Sequence, residues 1–148
     1  MYHNILVAID GSHTSERALR EAIDLTKELK GQLLIVHAVE IMLLNWEGAF
    51  VDPSLLWNAM IKDGEDVLRK ACAAAEAADA QAETKLIKID TLGDRIPDVI
   101  EREAQNWHAD LIVIGTHGRR GISHIFMGSV VEGIVRVATK PVLLIRGE

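Results

Sequence analysis

The sequence has one cysteine, Cys72, in 148 residues. No internal disulfide can form, and the Ala-rich surroundings RKACAAAEAA read as a helix in which Cys72 packs as a small apolar side chain. No apolar run approaches the roughly 20 residues of a membrane-spanning helix, and the amino end MYHNILVAID has no basic stretch leading into a long apolar one. The expectation is a soluble, cytoplasmic protein without membrane contact. Neither G-x4-G-K-[ST] nor G-x-G-x-x-G occurs, which sets aside the usual NTPase and dinucleotide-binding loops. A formal charge of −6 argues against a broad nucleic-acid surface but leaves room for a local anion site. Repeats and linkers are missing as well. With 49 % apolar residues, the length suits one domain over residues 1–148, with a core that needs neither disulfide nor metal.

What the chain has is alternation. Residues 4–10, NILVAID, form a nearly continuous apolar run, as expected of a strand covered on both faces. Residues 14–30 place Ala18, Leu19, Ala22, Ile23, Thr26 and Leu29 at helical spacing, with Ser12 as the cap, Lys27 and Lys30 in a basic last turn, and Gly31 as the C′ glycine. Further strands are expected at 32–40, 83–90, 109–115 and 141–146. Helices are expected from about 55 to 80, over 94–107 and from about 129. Pro97 suits a first turn, with Asp94, Asp98 and Glu101 near the positive end of that helix. Residues 41–53, apolar without a clear period and broken by Gly48 and Pro53, read as a packed surface loop.

Five strands alternating with helices predict an α/β, Rossmann-like parallel sheet with helices on both faces. Ligands of such sheets sit at the carboxyl ends of the strands where the strand order reverses. Two strand ends are candidates here: AID closing the first strand and VIGTHG closing the fourth. One ligand touching both requires these strands to be neighbours, which the order 3-2-1-4-5 provides and 2-1-3-4-5 does not.

The fourth strand leads into GTHGRRGISHIFMGS, residues 115–129. Although the chain is acidic, no Asp or Glu occurs from Leu111 to Val131, and Arg119 and Arg120 make the stretch locally basic. Gly115 and Gly118 form G-x-x-G. Gly128 and Ser129 follow after nine residues, and Ser129 and Glu132 read as a capping box. Backbone N–H groups at a helix start, approached through side-chain-free glycine, suit a phosphate. Turn glycines and an ordinary helix start are the plainer alternatives; it is the combination that points to an anion. His117 reads as a solvated or backbone-bonded loop residue, and Asp10 as a turn cap or a ligand contact. His37, inside the second strand, reads as a packed and satisfied histidine. His3, His13, His37, His108 and His124 have no mutual spacing that suggests a metal cluster. Trp46, Phe50 and Trp57 read as loop or interface packing rather than as a cover for a base.

These residues carry a resemblance. The opening ILVAIDGS, the block GDRIPDVIEREAQNWHADLIVIGTHG and the G-x2-G-x9-G-S motif resemble a universal stress protein of the single-domain, nucleotide-binding kind, over nearly the whole chain and most weakly from 41 to 80. The resemblance implies ATP, or another adenosine nucleotide, at the crevice between the first and fourth strands. Ala8, Asp10 and Val39 would serve the adenosine part, and Gly115, Gly118, Gly128, Ser129 and the backbone at Val130 the ribose and phosphates. Arg119 adds a cation, and Mg2+ or Mn2+ would accompany the nucleotide. It also implies a homodimer through the last strand, residues 141–146. That strand, an edge in the expected order, carries no guarding charge, whereas Lys85 and Lys88 guard the other edge. No general base or nucleophile stands out, so a nucleotide-dependent regulatory module is expected, with weak ATP hydrolysis, phosphotransfer or autophosphorylation as the alternative.

Overall fold

The apolar segments become β1 (Asn4–Ala8), β2 (Gln32–Glu40), β3 (Ala82–Ile89), β4 (Leu111–Gly115) and β5 (Val142–Ile145). The segments of helical period become α1 (His13–Glu28), α2 (Pro53–Ala77), α3 (Ile96–Asn106) and α4 (Ser129–Val137). In this computed structural model, which describes residues 1–40, 52–90, 93–117 and 128–147, the strands form one parallel sheet in the order β3-β2-β1-β4-β5.

Unbroken apolar runs in the central strands follow from burial on both faces. Ile5, Val7, Leu33, Ile35 and Val113 pack with Ala18, Leu19, Ala22 and Ile23 of α1 and with Leu68, Ala71 and Ala75 of α2. Their sequence neighbours Leu6, Ala8, Leu34, Val36, Ile112 and Ile114 pack on the other face with Ile100 and Ala104 of α3 and with Val131 and Ile134 of α4. Pro53, expected to break a loop, instead opens α2, and Asp52 caps it by accepting the Ser54 N–H at 3.0 Å. That bond holds the Asp52 carboxyl below the usual carboxylate range.

The helix ends differ from expectation in one consistent way. The left-handed residue after α1 is Lys30 (φ 53°), not Gly31, and Asp79 (φ 59°) and His108 (φ 60°) do the same after α2 and α3. Each closes a six-to-one hydrogen bond: Gly31 N to Thr26 O, Ala80 N to Ala75 O, and Ala109 N to Ala104 O, at 2.9, 2.9 and 2.8 Å. A non-glycine residue in this conformation costs about 1–2 kcal/mol, which the return of the chain to the sheet must offset. Gly31 is needed for space instead, since a Cβ there would collide with the His3 carbonyl.

The α3 carboxylates are also placed differently. Asp94 precedes the helix, and only Asp98 lies in its first turn. Glu101 is buried and accepts from Thr139 Oγ1 at 2.9 Å and Gln105 Nε2 at 2.7 Å, fastening α3 to the turn before β5. At the amino edge of the sheet, Asp110 Oδ2 accepts the His3 and Asn4 N–H groups at 3.0 and 2.8 Å, locking the start of β1 to that of β4.

Candidate functional site

The carboxyl ends of β1 and β4 lie side by side, as Ala8 opposite Ile114 shows. Beyond β1 the chain turns sharply. Asp10 Oδ1 accepts the Ser12 N–H at 2.9 Å, Gly11 takes φ 84°, and Ser12 caps α1 by accepting the Ser15 N–H at 3.2 Å. Asp10 thus shapes the turn with one carboxylate oxygen while standing half-buried at the crevice.

Beyond β4, two bonds organise the glycine segment. Thr116 N–H donates to Ile145 O at 2.9 Å, and Gly128 N–H donates to Thr116 O at 3.0 Å. The second bond clamps the ends of the segment together, so the start of α4 sits beside the end of β4. Residues 118–127 lie outside the described residues, and with them Gly118, Arg119, Arg120 and His124; so do Trp46 and Phe50. His117 is bonded through Nδ1 to Thr116 Oγ1 at 3.0 Å.

The expected capping box does not form. Gly128 is the N-cap, and among the described residues no side chain caps α4. Ser129 is the first helical residue and exposed, because the bond from Gly128 N–H to Thr116 O draws the cap position one residue back. Gly128 N–H is committed to that clamp. The N–H groups of Ser129, Val130 and Val131 begin the helix without an intrahelical acceptor, a local concentration of positive potential.

Gly115 is bare for a reason that sequence reasoning missed. A Cβ there would lie 2.7 Å from Thr14 Cγ2 and 3.0 Å from Thr14 O, and one at Gly147 would lie 2.8 Å from Thr14 Oγ1. The first turn of α1 is wedged between two glycines at the ends of β4 and β5, and Arg17 reinforces it by donating to Gly147 O at 2.8 Å.

Ala8 and Val39 face opposite sides of the sheet. Ala8 packs on the α3–α4 side, whereas Val39 lies under α2, with Cγ1 3.3 Å from where a Gly64 Cβ would stand. The backbone of Val39 also points away from β1. Val36 O accepts from Ile9 N–H, so, by the alternation of a strand, residues 36, 38 and 40 face β1 while 37 and 39 face β3. Ala38, not Val39, turns its peptide groups toward the crevice; the strand period, with one fixed bond, is the signal that identifies it.

Outside this region, burial pushes the half-buried Cys72 thiol up, with Glu76 adding to the effect. Among the described residues, no three His, Cys, Asp or Glu side chains are grouped to hold a metal ion, and no helix is long and apolar enough to cross a membrane.

The universal stress protein family model matches residues 1–146. Universal stress protein YxiE of Bacillus subtilis is 30 % identical over 155 aligned positions, covering 99 % of this chain and 100 % of the relative. A universal stress protein family member from Burkholderia pseudomallei superposes with a TM-score of 0.79 at 32 % identity, covering 97 % of this chain and 96 % of that one. The universal stress protein from Archaeoglobus fulgidus in complex with dAMP superposes with a TM-score of 0.70 at 28 % identity, covering 97 % and 98 %.

Proposed function

Because the chain belongs to the universal stress protein family, we propose that the crevice between β1 and β4 binds an adenine nucleotide, ATP, and that occupancy is the signal this protein supplies in a stress response. The observation that carries the reading is the clamp from Gly128 N–H to Thr116 O, which sets the uncapped first turn of α4 beside the end of β4, the strand next to β1. The archaeal relative with dAMP supports an adenosine ligand in this fold. Phosphates would lie against the Ser129 and Val130 N–H groups, with Arg119 as the added cation, and glycine at 118 and 128 would let them approach without a side chain intervening. The adenosine end would lie near Ala8, Asp10 and the end of β2 at residues 38–39. A Mg2+ or Mn2+ ion would travel on the phosphates, with Asp10 as a carboxylate within the same turn.

The test is to denature the purified protein and identify any released nucleotide by mass spectrometry, in the parent and in Gly118→Trp. ATP is expected from the parent alone. In nucleotide-free parent, ATP at about 100 times Kd should raise stability by roughly 2.7 kcal/mol. Absence of both release and stabilisation would refute the reading.

A second reading, slow ATP hydrolysis or autophosphorylation, is favoured by one observation: Ser129 is exposed and its hydroxyl is not engaged as a cap. Phosphate release that persists unchanged in Ser129→Ala would exclude that residue as the nucleophile.

A further inference from the structure

His37 is 7 % exposed, and its Nδ1 lies 2.8 Å from the Ile9 carbonyl oxygen. A carbonyl only accepts, so Nδ1 carries the proton and donates. In a parallel ladder, the bond after Ile9 N–H to Val36 O would join the Ala38 N–H to that same Ile9 carbonyl. That bond is not made among the described residues; the imidazole occupies the carbonyl in its place. On its other side β2 stays paired with β3 as far as Glu40, so the strands part only toward β1. Burial changes at the same place: β2 is buried from Leu33 through His37, and Ala38 is half-buried. Space for the ring comes from α2, where a Gly64 Cβ would stand 3.0 Å from His37 Cδ2 and 2.8 Å from Leu86 Cδ1.

We propose that His37 is a positioning residue that splits β1 from β2 at their carboxyl ends and keeps the Ala38 N–H and C=O turned into the crevice, available to a ligand edge carrying an adjacent donor and acceptor. Its effect on ligand affinity rests on the nucleotide reading; its effect on the strands does not.

The experiment compares residue-resolved amide exchange and ATP titration in the parent, His37→Asn and His37→Leu. Asn places its Nδ2 donor the same number of bonds from the backbone as Nδ1, so it should keep the Ile9 bond. The parent and His37→Asn should show fast exchange at Ala38 against slow exchange at Val36, with ATP affinity nearly equal. In His37→Leu the freed Ile9 carbonyl should take the Ala38 N–H, slowing its exchange, and ATP affinity should fall about tenfold, the equivalent of one or two hydrogen bonds. An Ala38 amide as protected as Val36 in the parent overturns the proposal even if the Leu variant fails to fold, as does a folded Leu variant with unchanged Ala38 exchange. A parent that binds no ATP refutes the nucleotide reading, and the exchange comparison still decides the strand split.

Discussion

Replacing Gly115 by alanine separates packing from ligand binding at this crevice. The added Cβ would meet Thr14 Cγ2 at 2.7 Å and the Thr14 carbonyl at 3.0 Å. The first is the end of a side chain. The second is backbone at the start of α1, held by the Ser12 cap and by Arg17 on Gly147 O. Neither contact is relieved by a simple rotation, because Thr14 is only 9 % exposed and its Oγ1 already fills the space beside Gly147. Overpacking of this kind costs about 2 kcal/mol, which lowers Tm by roughly 4–8 °C in a chain of this size. Thr14→Ser removes Cγ2 and keeps the hydroxyl, so it should rescue about half of the loss. The coupling energy would be near 1 kcal/mol in a double-mutant cycle, with the backbone contact accounting for the remainder. Urea unfolding of the four proteins measures this directly. Thermal shifts with and without ATP then show whether Gly115→Ala retains the nucleotide increment, as expected if the glycine serves the α1 wedge. A Gly115→Ala loss below about 0.5 kcal/mol, or no rescue by Thr14→Ser, would refute the reasoning.

Two other perturbations test the frame of the site and its outer edge. The Asn4 N–H, with a smaller contribution from His3, holds the Asp110 carboxyl below the usual carboxylate range. Its contribution is therefore complete above the unfolded value of about 3.9 and is lost as pH falls through the lower folded value. Asp110→Ala should cost about 1–2 kcal/mol at pH 7 after allowing for screening at a partly exposed site, and the deficit should shrink in acid denaturation profiles below about pH 4. A deficit independent of pH would exclude the carboxylate as its source. β5 is half-buried along its whole length and forms one edge of the sheet, with β4 as its partner in the chain. If two copies associate there, Val142→Lys or Leu144→Lys should sediment as a folded monomer where the parent sediments as a dimer; an unchanged dimer would place the interface elsewhere.

Much of the architecture was legible because burial leaves a period in the sequence. Apolar runs marked the strands, and Ser12 was identified as a cap from its place before α1. The requirement that two strand ends share one ligand selected the order 3-2-1-4-5. His37 read as a satisfied core histidine and is one. The misreadings share a cause: each depends on a partner far away in the chain. Lys30 adopts the left-handed conformation expected of Gly31 because Gly31 must pass against His3. The helix cap at 128 rather than 129 depends on the Thr116 carbonyl. The direction of the Ala38 and Val39 peptide groups is set in the same way, by the one hydrogen bond from Ile9 N–H to Val36 O.

The α/β alternation, a sheet covered on both faces, and the glycine-rich, acid-free segment after the fourth strand can be read from the chain alone, because composition and period are local properties. What Gly31 and Gly115 are for, which peptide groups face the crevice, and how far β1 runs beside β2 emerge only on folding. These depend on packing distances of a few ångströms between segments up to 130 residues apart, as in Arg17 bonded to Gly147, and no local pattern encodes them.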